Sequence, residues 1–171
     1  MTPQDVAEFE EFVAATGRTL RRTAYLLCGD WQRAEDATQD ALVKVYAAWS
    51  RIQRGVGLRA YAHRAVTNAV FDQGRRPWRR ERSTELLPES GSDPTAQVDR
   101  RLAVVQALSG LPPRRRQCVV LRYFADLSVE ETAQALGINP GTVKSQTARA
   151  LDQLRASLVA SGLDLELEEL A

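Results

Sequence analysis

Residues 128–151, SVEETAQALGINPGTVKSQTARAL, bring capping, small and hydrogen-bonding side chains together in a pattern suited to recognising nucleic acid rather than making bonds. Ser128 followed by Glu131 makes a capping box, in which hydroxyl and carboxylate each satisfy a free backbone N–H at a helix start. Gly137 falls where a helix ends in the left-handed conformation, and Asn139-Pro140 caps and starts the next helix. A first helix of about eight residues, a tight glycine turn and a second capped helix make a helix-turn-helix. Ala133 is small where the helices cross, and Ile138 can plug the space between them. On the second helix Val143, Thr147, Ala150, Leu151 and Leu154 share one face. Gly141, Thr142, Ser145, Ala148, Arg149 and Asp152 point away, with Lys144 and Gln146 on the flanks. Small and hydrogen-bonding residues at the outward N-terminal end can enter a major groove without clashing. Thr142, Ser145, Gln146 and Arg149 then reach base edges, and Lys144 meets phosphate. A helical hairpin with a solvated face would share the wheel, but not both caps and the glycine turn in register.

Positioning that reader takes a helical scaffold, and the rest of the chain reads as one. A first helix runs from about Asp5 to Cys28 and stops at Gly29; a second, capped by Asp30, runs to about Trp49. Its apolar residues Ala34, Ala37, Ala41, Leu42, Val45, Tyr46 and Trp49 keep a 3.6-residue period. After the Gly55-Val56-Gly57 break, Leu58, Tyr61, Ala62, Ala65, Val66 and Ala69 line the buried face of a third, which Pro77 stops. A helix from Pro94 or Ala96 to Leu108 opens the second half. The next follows Pro112-Pro113 and runs to Phe124, burying Val119, Val120 and Tyr123 or Phe124. No stretch has the alternation of a strand.

Charge follows the same division. The net +1 sums a block at 1–82 of net +4, an acidic stretch at 83–99 of net −4, a block at 100–155 of net +5 and a tail at 156–171 of net −4. Basic modules alternating with acidic connections suit a polyanion ligand, with the connections held off it. Segment 83–97, STELLPESGSDPTAQ, reads as a flexible linker that lets the halves move independently. The tail Gly162–Leu170, with alternating leucines and acids, suits either a loose end or an acidic flap over a basic module or partner.

Composition excludes several classes. One histidine (His63) and two cysteines (Cys28, Cys118) cannot build a four-ligand N/S zinc site, and the thiols are expected as reduced core residues. With no phosphate loop and no paired catalytic carboxylates, an enzyme is not expected, nor is a cofactor or metal. No apolar run approaches a membrane span and no signal peptide is evident, so a soluble, cytoplasmic protein is expected.

Two further segments narrow the kind of DNA-binding protein. Ala34-Glu-Asp-Ala-Thr-Gln-Asp-Ala-Leu-Val-Lys44 resembles the AEDLVQETFLR stretch of bacterial sigma factors of the extracytoplasmic-function (ECF) type. Tyr61-Ala-His-Arg64-Ala-Val-Thr-Asn68-Ala-Val-Phe-Asp72-Gln-Gly-Arg75-Arg76 resembles the helix that follows it in that family. The helix-turn-helix, with GTVKSQTARAL, resembles the family's C-terminal domain. The three motifs stand in family order over roughly 8–82 and 100–156, and look nearest to the actinobacterial SigE-like subgroup.

The resemblance implies an all-α fold of two small helical domains on a flexible linker. A sigma-2-like bundle at 1–82 would bind core polymerase and read and melt the −10 element. The acidic linker at 83–97 would thread the polymerase, a sigma-4-like helix-turn-helix at 98–158 would read the −35 element, and 159–171 would be an acidic tail. Asp36, Gln39 and Asp40 would meet a coiled coil of the β′ subunit, with the β flap a second core contact. Arg64, Asn68, Asp72, Arg75 and Arg76, with Arg51 and Arg54 in the Ser50–Gly57 break where the family captures a flipped base, would serve the −10 element. Thr142, Lys144, Ser145, Gln146 and Arg149 would serve the −35 element. Core RNA polymerase, promoter DNA and an anti-sigma factor are the implied partners. Thr67 and Gln146-Thr147 depart from common family residues, which bears on which promoter is read. Trp78 fits either stacking on a base or packing.

A repressor or response-regulator output domain could use the same helix-turn-helix. It would need a dimerisation or receiver segment, and residues 1–82 resemble no receiver. The sigma reading needs Asn68 and Arg149 outside any interior the halves share.

Overall fold

The structure is a computed structural model describing residues 2–52, 56–75 and 94–163, which are helical with no strand among them. Helix α1 spans Pro3–Cys28. It starts two residues before the expected Asp5 because Thr2 and Asp5 form a capping box: Thr2 Oγ1 accepts from Asp5 N at 3.1 Å, and Asp5 Oδ2 accepts from Thr2 N at 2.8 Å. Gly29 ends it at φ 72°, and the next residue, Asp30, caps α2 (Trp31–Ala48) by accepting from Arg33 N at 2.9 Å. A short 3₁₀ turn, Trp49–Arg51, follows.

Helix α3 (Val56–Arg75) begins inside the stretch read as a break and ends two residues before Pro77. It packs against α1 and α2 on one side and α6 on another, so Leu58, Ala60, Ala62, His63, Ala65, Val66, Thr67, Ala69 and Val70 are all buried. Alanines on α2 (Ala34, Ala37, Ala41) and on α3 let their axes approach closely.

Helix α4 (Pro94–Ser109) takes its first turn from the last residues of the expected linker; residues 83–93 of that linker lie outside the described residues. Helix α5 (Pro113–Val119) runs into a π-helical turn, Val120–Phe124, closed by Ala125 N donating to Val120 O at 3.0 Å. Val119 and Val120 are buried there, Phe124 is half-buried and Tyr123 is exposed. The short α6 (Val129–Leu136) and long α7 (Pro140–Ala160) complete the chain.

One apolar cluster runs through both halves, from Leu20 and Leu27 in α1 through Val45 and Val66 to Leu108, Val119, Leu154 and Leu158. A smaller one joins Leu121, Ala125, Leu127 and Ala135. The halves, read from sequence as independently moving, share an interior here. Helix α1 lies against α4 and the π turn, and α3 lies against α6.

Candidate nucleic-acid interface

The helix-turn-helix is fixed by the bonds its sequence promises. Ser128 Oγ accepts from Glu131 N at 3.0 Å, and Glu131 Oε2 accepts from Ser128 N at 2.7 Å. Gly137 adopts φ 64°, and Asn139 Oδ1 accepts from Thr142 N at 2.8 Å. On α7, Val143, Thr147, Ala150 and Leu154 are buried and Leu151 is half-buried, while Lys144, Ser145, Ala148, Arg149 and Asp152 are exposed. Thr142 and Gln146 are half-buried at the edge of that face. Two hydroxyl protons are already engaged, Thr142 Oγ1 donating to Asn139 Oδ1 at 3.0 Å and Ser145 Oγ to Thr142 O at 3.1 Å. Those hydroxyls keep lone pairs for a base donor, whereas Gln146, Lys144 and Arg149 supply the donors.

Helix α3 leaves few positions in the open. Arg64, Asn68 and Asp72 are exposed and fall on one line at four-residue spacing. Beside them Thr67, Asn68, Phe71 and Asp72 form one wall of a groove of about 370 Å³, whose other wall is Pro113, Arg114, Gln117 and Leu136. Arg51 is exposed at the end of the 3₁₀ turn. Arg75 ends α3, its side chain outside the described residues, as are Arg54, Arg76 and Trp78.

On α2 the residues Asp36, Gln39 and Asp40 are exposed, opposite buried Ala34, Ala37, Thr38, Ala41 and Val45. Gln32 Nε2 donates to Asp36 Oδ1 at 3.3 Å. Two apolar residues complicate that face. Val43 is 67% exposed, and Tyr46, read from sequence as buried, is 42% exposed with its ring edge-on to Phe9 at 5.0 Å. The helical period puts Val43 in the middle of the Asp36/Gln39/Asp40 face and Tyr46 at its edge, opposite the buried stripe.

Five titratable residues outside the sequence-derived site also matter. His63 is buried between α1 and α3 beside a cavity of about 210 Å³, and burial, with the nearby Arg59 charge, holds its pKa down to about 4. Arg59 Nη2 donates to Ala125 O at 2.6 Å and to Asp126 O at 2.9 Å. Arg116 donates to Leu27 O, Ser109 O and Leu111 O at 2.9–3.1 Å, and burial lowers its pKa. The free thiols of Cys28 and Cys118 are pushed up, chiefly by burial, Cys118 to about 11, so neither is a ready nucleophile. Among the described residues no group of acids, histidine and cysteines could hold a metal, and no helix is long and apolar enough to cross a membrane.

Comparisons with known proteins point one way. The family profile described as Sigma-70 region 2 matches residues 12–80, and the one described as Sigma-70, region 4 matches residues 101–154. The chain is 41% identical over 169 residues to the RNA polymerase sigma-E factor of Streptomyces coelicolor, covering 96% of each. It is 34% identical over 148 residues to the ECF RNA polymerase sigma factor SigM of Mycobacterium tuberculosis, covering 85% of this chain and 74% of the relative. Among solved structures, RpoE in complex with the anti-sigma factor NepR from Bartonella quintana shares the fold at TM-score 0.74 and 24% identity, over 88% of this chain and 96% of that one. CnrH in complex with the cytosolic domain of CnrY does so at TM-score 0.68 and 24% identity, over 89% and 88%.

Proposed function

The chain belongs to the ECF family of RNA polymerase sigma factors, and we propose from that premise how its own residues carry promoter-specific initiation. A sigma factor binds core RNA polymerase and directs it to promoters. The observation that carries the assignment of roles is the pattern of exposure on two helices. Arg64, Asn68 and Asp72 are the exposed positions of α3 among the described residues, and Lys144, Ser145 and Arg149 stand out of α7.

Helix α7 enters the major groove of the −35 element, with Arg149 set for the paired acceptors of a guanine and Lys144 for phosphate. Gln146, Thr142 and Ser145 complete its edge. Helix α3 offers Arg64 and Asn68 to the bases of the −10 element, with Asp72 beside them and Arg75 and Arg76 further along toward the backbone. Arg51 and Arg54 lie within the Ser50–Gly57 segment that takes an extruded base. Unstacking that base costs a few kcal/mol, and a receptive site makes opening depend on sequence. Asp36, Gln39 and Asp40 face a basic surface of the β′ coiled coil, and the C-terminal half meets the β flap.

The domain boundaries follow: 1–82 for core binding and the −10 element, 83–97 as acidic linker, 98–158 for the −35 element, and 159–171 as tail. The protein has no catalytic step of its own and works in the cytoplasm, where an anti-sigma factor covers its polymerase-binding faces. Structural neighbours carrying such inhibitors support that last reading.

The test is binding to purified core polymerase and to forked promoter DNA. Arg149→Ala should leave core affinity unchanged and cost about tenfold or more in discrimination of the −35 sequence. Equal loss on every DNA sequence would overturn the assignment of Arg149 as a base reader.

A further inference from the structure

Among the described residues Arg59 and Arg116 make polar contacts between the halves, and both described bonds of Arg59 lie on the seam. Arg59 lies in the first turns of α3, between buried Leu58 and Ala60. Its Nη2 reaches a segment more than sixty residues away, donating to the carbonyls of Ala125 and Asp126 at 2.6 and 2.9 Å. Those carbonyls converge because the chain turns sharply between the π turn and α6, with Asp126 at φ 54°, the non-glycine residue with positive φ among the described residues. Arg116 also crosses between the halves, to Leu27 O, but keeps its bonds to Ser109 O and Leu111 O within its own half. Both of Arg59's described bonds are lost when the halves part.

Separation is required by size. A compact chain of 171 residues is about 40 Å across. Elements centred near −10 and −35 lie about 25 base pairs apart, or about 85 Å at 3.4 Å per base pair. Reading faces on two halves that share one interior cannot reach both at once. The eighteen residues between α3 and α4, positions 76–93, span up to about 60 Å if extended, which with the two halves covers that distance.

We propose that Arg59 is a latch: its guanidinium, clasping the Ala125 and Asp126 carbonyls, holds the free chain closed, and its release is a step in taking up polymerase and promoter. This rests on the sigma reading for its consequence but not for its geometry. The contact is suited to reversal. It joins a cation to neutral carbonyls, all of which water can solvate once exposed, and the apolar surface the halves share around Leu27, Val66, Leu108 and Leu158 sets no bond directions of its own. Polymerase affinity is then reduced by the fraction of chains that are open, and weakening the latch raises it.

The experiment compares the full wild-type chain with Arg59→Ala and Arg59→Lys by small-angle scattering, far-UV helicity and affinity for core polymerase. Arg59→Ala should expand the radius of gyration by several ångström at unchanged helicity and tighten core binding about tenfold. Arg59→Lys, which keeps a charged donor, should fall between the two. Arg59→Met, which keeps an aliphatic stem but no hydrogen-bond donor, replaces the alanine variant if that one loses helicity. An unchanged radius overturns the latch, and so does an expanded chain whose core affinity is no better than wild type. Should no variant bind core while the alanine variant still expands, the sigma reading fails and the latch geometry stands.

Discussion

His63 lies on the buried side of α3, beside a cavity that α1 lines with Phe12, Thr16 and Leu20. Buried and held near pKa 4 against an ordinary 6.5, it stays neutral when folded. Between those values the unfolded chain takes up a proton that the folded chain excludes, so stability must fall as pH drops through that window. The loss from this group is about 2 kcal/mol at pH 5 relative to pH 7. Urea unfolding at the two pH values measures it, and His63→Leu should remove that share of the slope. An identical slope in the variant would show that other groups carry the dependence. The side of α7 that carries Arg149 follows from where Val143, Thr147 and Ala150 must go, whereas nothing in the order of residues says that α1 covers His63, and Arg59 is hidden for a related reason. Its partners are backbone carbonyls, which no sequence pattern marks.

At the scale of elements, punctuation was the most readable feature. Asp30, Ser128, Gly137 and Asn139 all do what their types foretell. The start of α1 was misplaced by a capping box at Thr2–Asp5 that the periodicity of later residues overshadowed. The π turn at Val120–Phe124 was read as plain helix, because a widened turn has no composition of its own. Gly137→Ala should cost about 1 kcal/mol, all of it backbone conformation, since an added Cβ meets nothing within 4 Å. Ser128→Ala should cost about the same by freeing the Glu131 N–H. Thermal melts of both variants test these values, and an unchanged midpoint for either would contradict the role given to its cap. The outward face of α2 belongs here too. Reversing charge with Asp36→Lys and Asp40→Lys should weaken core binding at least about tenfold at low salt without changing helicity, if that face meets a basic partner. Binding that survives both changes would move the contact to another element.

For the whole molecule, the alternation of charge along the chain marked two modules, and the helical periods marked what each one buries. Neither could say that the modules bury surface against each other, because an apolar face does not name its partner. The cluster joining Leu27 and Val66 to Leu108 and Leu158 is therefore the least foreseeable part of the fold. It leaves Asn68 and Arg149 exposed all the same, outside the interior the halves share. Promoter-directed run-off transcription, with purified core polymerase and this chain as the sole added factor, decides whether the chain directs initiation. Discrete transcripts that require both upstream elements, and that fade when Arg149→Ala or Asn68→Ala is introduced, are the predicted result; no transcript above core alone, with unaided protection of duplex DNA by the chain, is the contradicting one.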